Sequence, residues 1–516
     1  MANRPELGAP LRGFAPTIYN SRWGTRSGVR IWSRRTCVKL HAVLVPISAA
    51  LVYFLPPSYA LIFSGAIVGS AFFAIGIMEA RRETLWLTPL TFFFFFFGVQ
   101  LGPASLYMGQ RFTSLQSIPF MMYGVSSDDV AYGFLITLIG TFAMHLGLTL
   151  VRPRPSRMPH SRYAFLPKTL FVLAVFWAIG TVALLRPELF ARLGVLGGFL
   201  QFGPEAALFA LAFAPRGAFR LSSRQFWTTF AIGTAVFVIA ALFSGMKTNI
   251  MFALMPLFAV FVHRSELRKW VPIAVISGIL SYLLVVAPIV NGARILASQH
   301  GEDFSTNVKY VLADPVSTLD ANSLQDFFTD QLDAAMRRMF EFPQVCGFML
   351  SEVRRTGFAE GATMSDWYYG LVPRIFWPEK PNVSRGAWFT AYLGFSNSAA
   401  EATTSTGMTS PGEWYWNFGI PGVIAGMFVT GLLMGGLWRL AGDYPIPRPI
   451  NLLLYAGVTL QIVALSEAMS PIIGCIALYV VFGPVFVYRH FIGQRIKTVR
   501  VSSITNLPHA RTNITR

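Results

Sequence analysis

Charge is scarce in these 516 residues: only 13% are Asp, Glu, Lys or Arg, while 54% are hydrophobic. A soluble chain carries about 25% charged residues, so a water-soluble globule is excluded. Cysteine is scarcer still. Cys37, Cys346 and Cys475 are scattered and odd in number, which excludes a disulfide framework or a thiolate metal site. No Walker-type or dinucleotide glycine motif is present, which argues against a nucleotide-driven engine. An internal repeat of the kind that marks many transporters is also missing.

What is present is a series of apolar runs, each roughly 18–23 residues long and sufficient to cross about 30 Å of hydrocarbon. They predict an all-α polytopic membrane protein of about twelve transmembrane helices. The expected spans are 38–55, 58–79, 85–107, 129–151, 165–186, 193–214, 226–243, 248–263, 271–291, 418–438, 450–469 and 472–488. Gly203-Pro204 interrupts the sixth.

The formal charge of +18 would suit a nucleic-acid binder, but its distribution does not. With the N-terminus in the cytoplasm, the inside loops hold Arg81 and Arg82; Arg152, Arg154, Arg157 and Arg162; Arg216, Arg220 and Arg224; Arg264, Arg268 and Lys269; Arg439 and Arg448. Short outside loops hold few cations. This positive-inside pattern fixes the orientation and assigns the charge to topology and anionic lipid rather than nucleic acid. The expected organisation is a basic cytoplasmic tail (1–37), nine spans (38–291), a large outer-face loop (292–417), three spans (418–488) and a second basic cytoplasmic tail (489–516). The N-terminal basic stretch is too dispersed for a cleavable signal.

The outer loop holds more than half of the chain's acidic residues. Residues 323–341 place Leu324, Phe327, Phe328, Leu332, Ala335, Met336 and Met339 on one helical face, with Ser323 as N-cap and Pro343 beyond the end. A second helix is expected over 345–356, stopped by Gly357, and a third, shorter one over "SDWYYGLV".

Three outward stretches carry candidate chemistry. In "VPRIFWPEKP" (372–381) three prolines forbid a continuous helix and make a stiff loop that presents Arg374 and Lys380. Fixed cations suit a phosphate or diphosphate; a salt bridge to Glu379 is the plainer alternative. In "SGMKTN" (244–249) Lys247 lies at the outer membrane edge, where it could bind an anion or merely snorkel. In "TSPGEWYWNFGIPG" (409–422) Glu413 stands among Trp414, Tyr415 and Trp416. These aromatics fit an interface belt, and sugar rings also stack on such faces. Glu413 could then accept a proton from a sugar hydroxyl. Arg337 and Arg338 sit near a helix C-terminus, a place that favours cations in any case. Asp128-Asp129 fits a helix N-terminus or, less simply, a metal or catalytic pair. His145, Glu205 and Glu467 fall in or near spans.

Taken together, three stretches resemble the bacterial O-antigen polymerases, the Wzy-type oligosaccharide repeat-unit polymerases. "LVPRIFWPEKP" is similar to that family's P-R-x-x-W-P-x-K-P segment. "TSPGEWYWNFGIPGVIAGMFVTGLL" resembles its run into the following span. "FSGMKTNIMF" resembles a segment in which Arg is usual where Lys247 stands here. The resemblance implies a metal-independent, GT-C-like glycosyltransferase without a cofactor in the bacterial cytoplasmic membrane. Its substrates would be undecaprenyl-diphosphate-linked glycans, and a flippase and a chain-length regulator would be its partners. It also implies Arg374 and Glu413 as catalytic groups. Lys247, Arg374, Lys380, Arg337 and Arg338 would then bind diphosphate, and Trp377, Trp414 and Tyr415 sugar. A ligase, a polyprenyl-phosphate-sugar transferase built on Asp128-Asp129 and a lipid-linked-sugar flippase are the competing expectations.

Overall fold

The computed structural model describes residues 33–82, 88–114, 125–151, 167–186, 203–213, 222–243, 304–313, 324–372, 385–402, 405–441 and 465–480, with shorter pieces between them and up to 484. Among the described residues the protein is mostly helical and has no strand. Among the described residues six stretches are helical, long and apolar enough to cross a membrane: Arg34–Phe54, Pro57–Ala80, Pro89–Phe112, Ser127–Leu150, Ser223–Phe243 and Ser410–Leu440. Leu170–Leu185 and Ser470–Pro484 are shorter apolar helices. The expected spans 248–263, 271–291 and 450–469, and both tails, lie largely outside the described residues.

In chain order the helices are α1 (Arg34–Phe54), α2 (Pro57–Arg82), α3 (Pro89–Leu101), α4 (Pro103–Ser114), α5 (Ser127–Leu150), α6 (Pro167–Leu185), α7 (Gly203–Phe213), α8 (Ser223–Phe243), α9 (Phe304–Ala313), α10 (Leu324–Met339), α11 (Glu341–Thr356), α12 (Gly386–Tyr392) and α13 (Ser410–Ala441). The candidate span Pro89–Phe112, the expected third, runs through α3 and α4, which meet at Gly102. Gly102 leaves helical geometry at φ −103°, ψ −100°, and Pro103 cannot donate back across the joint. α7 begins at the Gly203-Pro204 interruption.

α5 is the axis of the main core. Gly133, Gly140 and Gly147 recur every seven residues and so share one face. Gly133 lies under Pro343 and Gly347 of α11; Gly140 lies under Pro411, Val423 and Met427, and Gly147 under Phe428, of α13. From the other side, a methyl added at Gly347 would sit 2.7 Å from the Asp129 carbonyl oxygen, and one at Gly435 3.0 Å from that of Leu148. Small residues let membrane helices approach until backbones touch. The helix α11 is therefore packed directly onto the bundle.

Charge pairs complete that docking. Asp333 of α10 accepts hydrogen bonds from Tyr107 and Arg111 of α4. Burial alone would raise its pKa, but those donors and the Arg111 charge hold it below the ordinary 3.8. Asp129 at the start of α5 pairs with Arg354 of α11. On α11 itself Glu352 receives Arg355 and the Tyr392 hydroxyl of α12. Here too burial would raise the carboxyl, and these partners instead hold it below 4.5.

Two local expectations for the loop change. α11 begins at Glu341 rather than at 345, so Pro343, beyond the end of α10 as expected, also lies in the first turn of α11, where no amide donor is needed. "SDWYYGLV" becomes a short 3₁₀ helix, Trp367–Leu371. α11 stops at Gly357 as expected, with φ +84°.

Candidate functional site

α13 is not one straight rod. Gly419 adopts φ +63°, ψ −157°, dividing it into a short outer piece and a longer membrane piece that restarts around Pro421. The break lies beside the expected start of the tenth span at 418. At the joint, the Trp414 ring folds onto Gly426. Its indole nitrogen is buried without a hydrogen-bond partner among the described residues.

The outer piece is held by the turn 465–470, ahead of the helix Ser470–Pro484. The amides of Thr409 and Ser410 donate to the carbonyls of Ser466 and Leu465, both at 2.7 Å. The Ser410 hydroxyl donates to the Glu467 carbonyl at 2.6 Å. Glu413, one turn into the helix, is 2% exposed. One carboxylate oxygen accepts the Ala468 amide at 2.7 Å, the other the Thr363 hydroxyl at 2.9 Å.

The direction of each bond in this network follows from its chemistry. Asn417 Nδ2 donates to Thr363 Oγ1 at 2.6 Å and to the Glu413 carbonyl at 2.8 Å. The Thr363 proton is thereby committed to Glu413, which can only accept when ionised. Asn417 Oδ1 in turn accepts the amide of Gly361, a residue at φ +91°. One buried carboxylate, one hydroxyl and one amide thus lock the segment 357–364 to the outer piece of α13.

The residues flanking the Pro-rich stretch meet this turn and the helix that follows it. Gly370, just before it, packs on Ile473. Arg385, just after it, donates its backbone amide to Glu467 Oε1 at 3.0 Å, and Ser470 donates to Oε2 at 2.9 Å. The Arg385 guanidinium bonds Asp366 at 2.7 Å and lies over the Trp388 ring at 5.8 Å. Arg374, Lys380 and Lys247 themselves lie outside the described residues.

The other expected residues are dispersed. Arg337 donates to the Asp333 carbonyl at 3.3 Å in its own helix, and Arg338 pairs with Glu341 at 3.5 Å. Tyr415 is half-buried against the main core, and Trp377 is exposed beside Tyr369. Ser126, not Asp128, caps α5, and Asp129 also accepts the Ser126 hydroxyl at 2.8 Å. His145 faces His41 across 3.2 Å in the bundle interior. Among the described residues no group of three or more His, Cys, Asp or Glu is placed to hold a metal ion.

Sequence reasoning reached Glu413 and noted Glu467, but missed Thr363, Asn417, Asp366 and Arg385. Asn417 was within reach: it stands four residues after Glu413, so both share a helical face. Thr363 carries no charge and lies fifty residues away, with no local signal.

No curated protein and no solved structure matches the chain. Residues 91–443 match the model of a family described as Domain of unknown function (DUF8712). That match spans more than half of the sequence, and the chain belongs to the DUF8712 family.

Proposed function

We propose that this protein polymerises lipid-diphosphate-linked oligosaccharide repeat units on the outer face of a bacterial cytoplasmic membrane. One observation carries the reading. The run through Glu413 and Arg385, the next described residue after the Pro-rich stretch, both bond the single turn 465–470. In the proposed fold that turn joins the last two of twelve spans in a GT-C-like, metal-independent enzyme.

In the proposed reaction the growing glycan leaves its lipid diphosphate and joins a hydroxyl at the non-reducing end of a new lipid-linked unit. The sugar–phosphate bond breaks, a glycosidic bond forms, and the lipid diphosphate departs with the bonding electrons. Negative charge grows on that leaving group. Fixed cations stabilise it more in the transition state than in the ground state, and one well-placed donor is worth roughly 3 kcal/mol. Arg374 has that role, with Lys380 and Lys247 in support. Glu413 takes the proton of the attacking hydroxyl. Because it is 2% exposed, the acceptor reaches it only when a neighbouring segment moves. The diphosphate bond supplies the driving force.

Deletion of the gene tests the proposal. The expected phenotype is loss of the long-chain ladder of surface polysaccharide with a single repeat unit retained. Loss of all attached polysaccharide would instead indicate a ligase or flippase.

A further inference from the structure

From the buried network into the Pro-rich stretch runs a set of exposed, mostly aromatic side chains that the proposed chemistry does not use. Trp367, Tyr368, Leu371, Phe376 and Trp377 are all exposed, Phe376 by 80% and Tyr368 by 49%. Four of the rings form one group: Trp367 meets Tyr368 at 6.4 Å, Tyr368 and Tyr369 have ring centroids 4.3 Å apart, and Tyr369 meets Trp377 at 5.2 Å. Five within eleven residues make an apolar patch too concentrated for an ordinary water-facing loop.

The height of the patch in the fold identifies its surroundings. Gly370, in its middle, packs on Ile473 in the first turn of the apolar helix Ser470–Pro484. The adjoining turn is hydrogen-bonded to the start of α13. The patch thus lies level with the outer ends of two apolar helices. At that height Trp and Tyr serve well, with an apolar body in the acyl region and a polar tip among headgroups. The sequence adds Arg374 and Lys380 within the same stretch, complementary to anionic headgroups.

We propose that residues 367–371 with Phe376 and Trp377 are embedded in the headgroup–acyl boundary of the outer leaflet as a lipid-binding anchor. This anchor holds the Pro-rich stretch at headgroup height. A benefit to diphosphate capture rests on the polymerase reading; the lipid contact does not. Trp377 then meets lipid instead of a sugar.

The test uses the full chain with an environment-sensitive fluorophore on Phe376→Cys, and separately on Tyr368→Cys, in nanodiscs of phosphatidylethanolamine and phosphatidylglycerol. Both side chains are exposed, and the three native cysteines are buried, so labelling is selective and the fold is kept. Asn397→Cys, exposed elsewhere in the outer loop, is the water-facing reference. Both patch labels are expected to be quenched by a nitroxide on an early acyl carbon of the lipid and shielded from iodide several-fold relative to the reference. Quenching by iodide at the reference level, or by neither agent, overturns the proposal.

Discussion

Glu413→Gln is the most informative single change, because it keeps the side chain's shape and alters only its hydrogen-bonding capacity. The carboxylate accepts two buried donors, the Ala468 amide and the Thr363 hydroxyl. A glutamine offers one acceptor oxygen and an NH₂. If the oxygen serves Ala468, the NH₂ must face Thr363. Thr363 Oγ1 already accepts from Asn417, and its proton then has nowhere to go. The reverse flip sets the NH₂ against the Ala468 amide. Either way one buried donor is orphaned, at a cost of about 1–3 kcal/mol. Thr363→Val removes the competing hydroxyl. In that background Glu413→Gln costs less, with a coupling of about 1 kcal/mol or more. Unfolding of the four proteins in detergent measures this cycle. Equal costs of Glu413→Gln in both backgrounds would refute the assigned directions. Polymer formation separates the chemistry: Glu413→Gln lowers it by roughly 10²–10⁴-fold if Glu413 takes the proton, and Thr363→Val does not reproduce that loss.

Three further outcomes are expected. Gly347→Ala sets a methyl 2.7 Å from the Asp129 carbonyl oxygen, so it lowers stability by about 1–3 kcal/mol; an unchanged melting temperature contradicts the close packing of α5 and α11. Asp333 and Glu352 are held below their ordinary values of 3.8 and 4.5, so their contribution is complete above those values and is lost as pH falls through the lower folded ones. Hydrogen exchange then shows α10 and α12 losing protection in acid, whereas unchanged protection at pH 3 or so counts against the docking account. Arg374→Ala abolishes polymer while the protein still accumulates in the membrane; normal ladders would remove Arg374 from the mechanism.

How far the sequence could be read depended on the range of the signal. Apolar run length is local, so the helices at 34–54, 57–80, 127–150 and 223–243 were foreseeable. The stop at Gly357 and the start of α7 at Gly203 were also visible, because Gly and Pro act on their own backbone. The glycine repeat at 133, 140 and 147 was legible in principle as a small-residue face, but its partners α11 and α13 are distant in sequence. The joint at Gly102 was obscured by the Phe-rich apolar run that leads up to it. In the candidate site, Glu413 drew attention as a carboxylate among aromatics beside the membrane. Its partners did not, because one is a backbone amide, one a neutral hydroxyl, and both belong to distant segments.

Reconstitution tests the central claim most directly. The purified protein would be placed in vesicles with an undecaprenyl-diphosphate-linked repeat unit as sole substrate, with a chelator and without nucleotide. The account predicts products two or more units long, with one free lipid diphosphate released for each unit joined. An unextended substrate under those conditions, or extension that requires an added divalent cation, would contradict it.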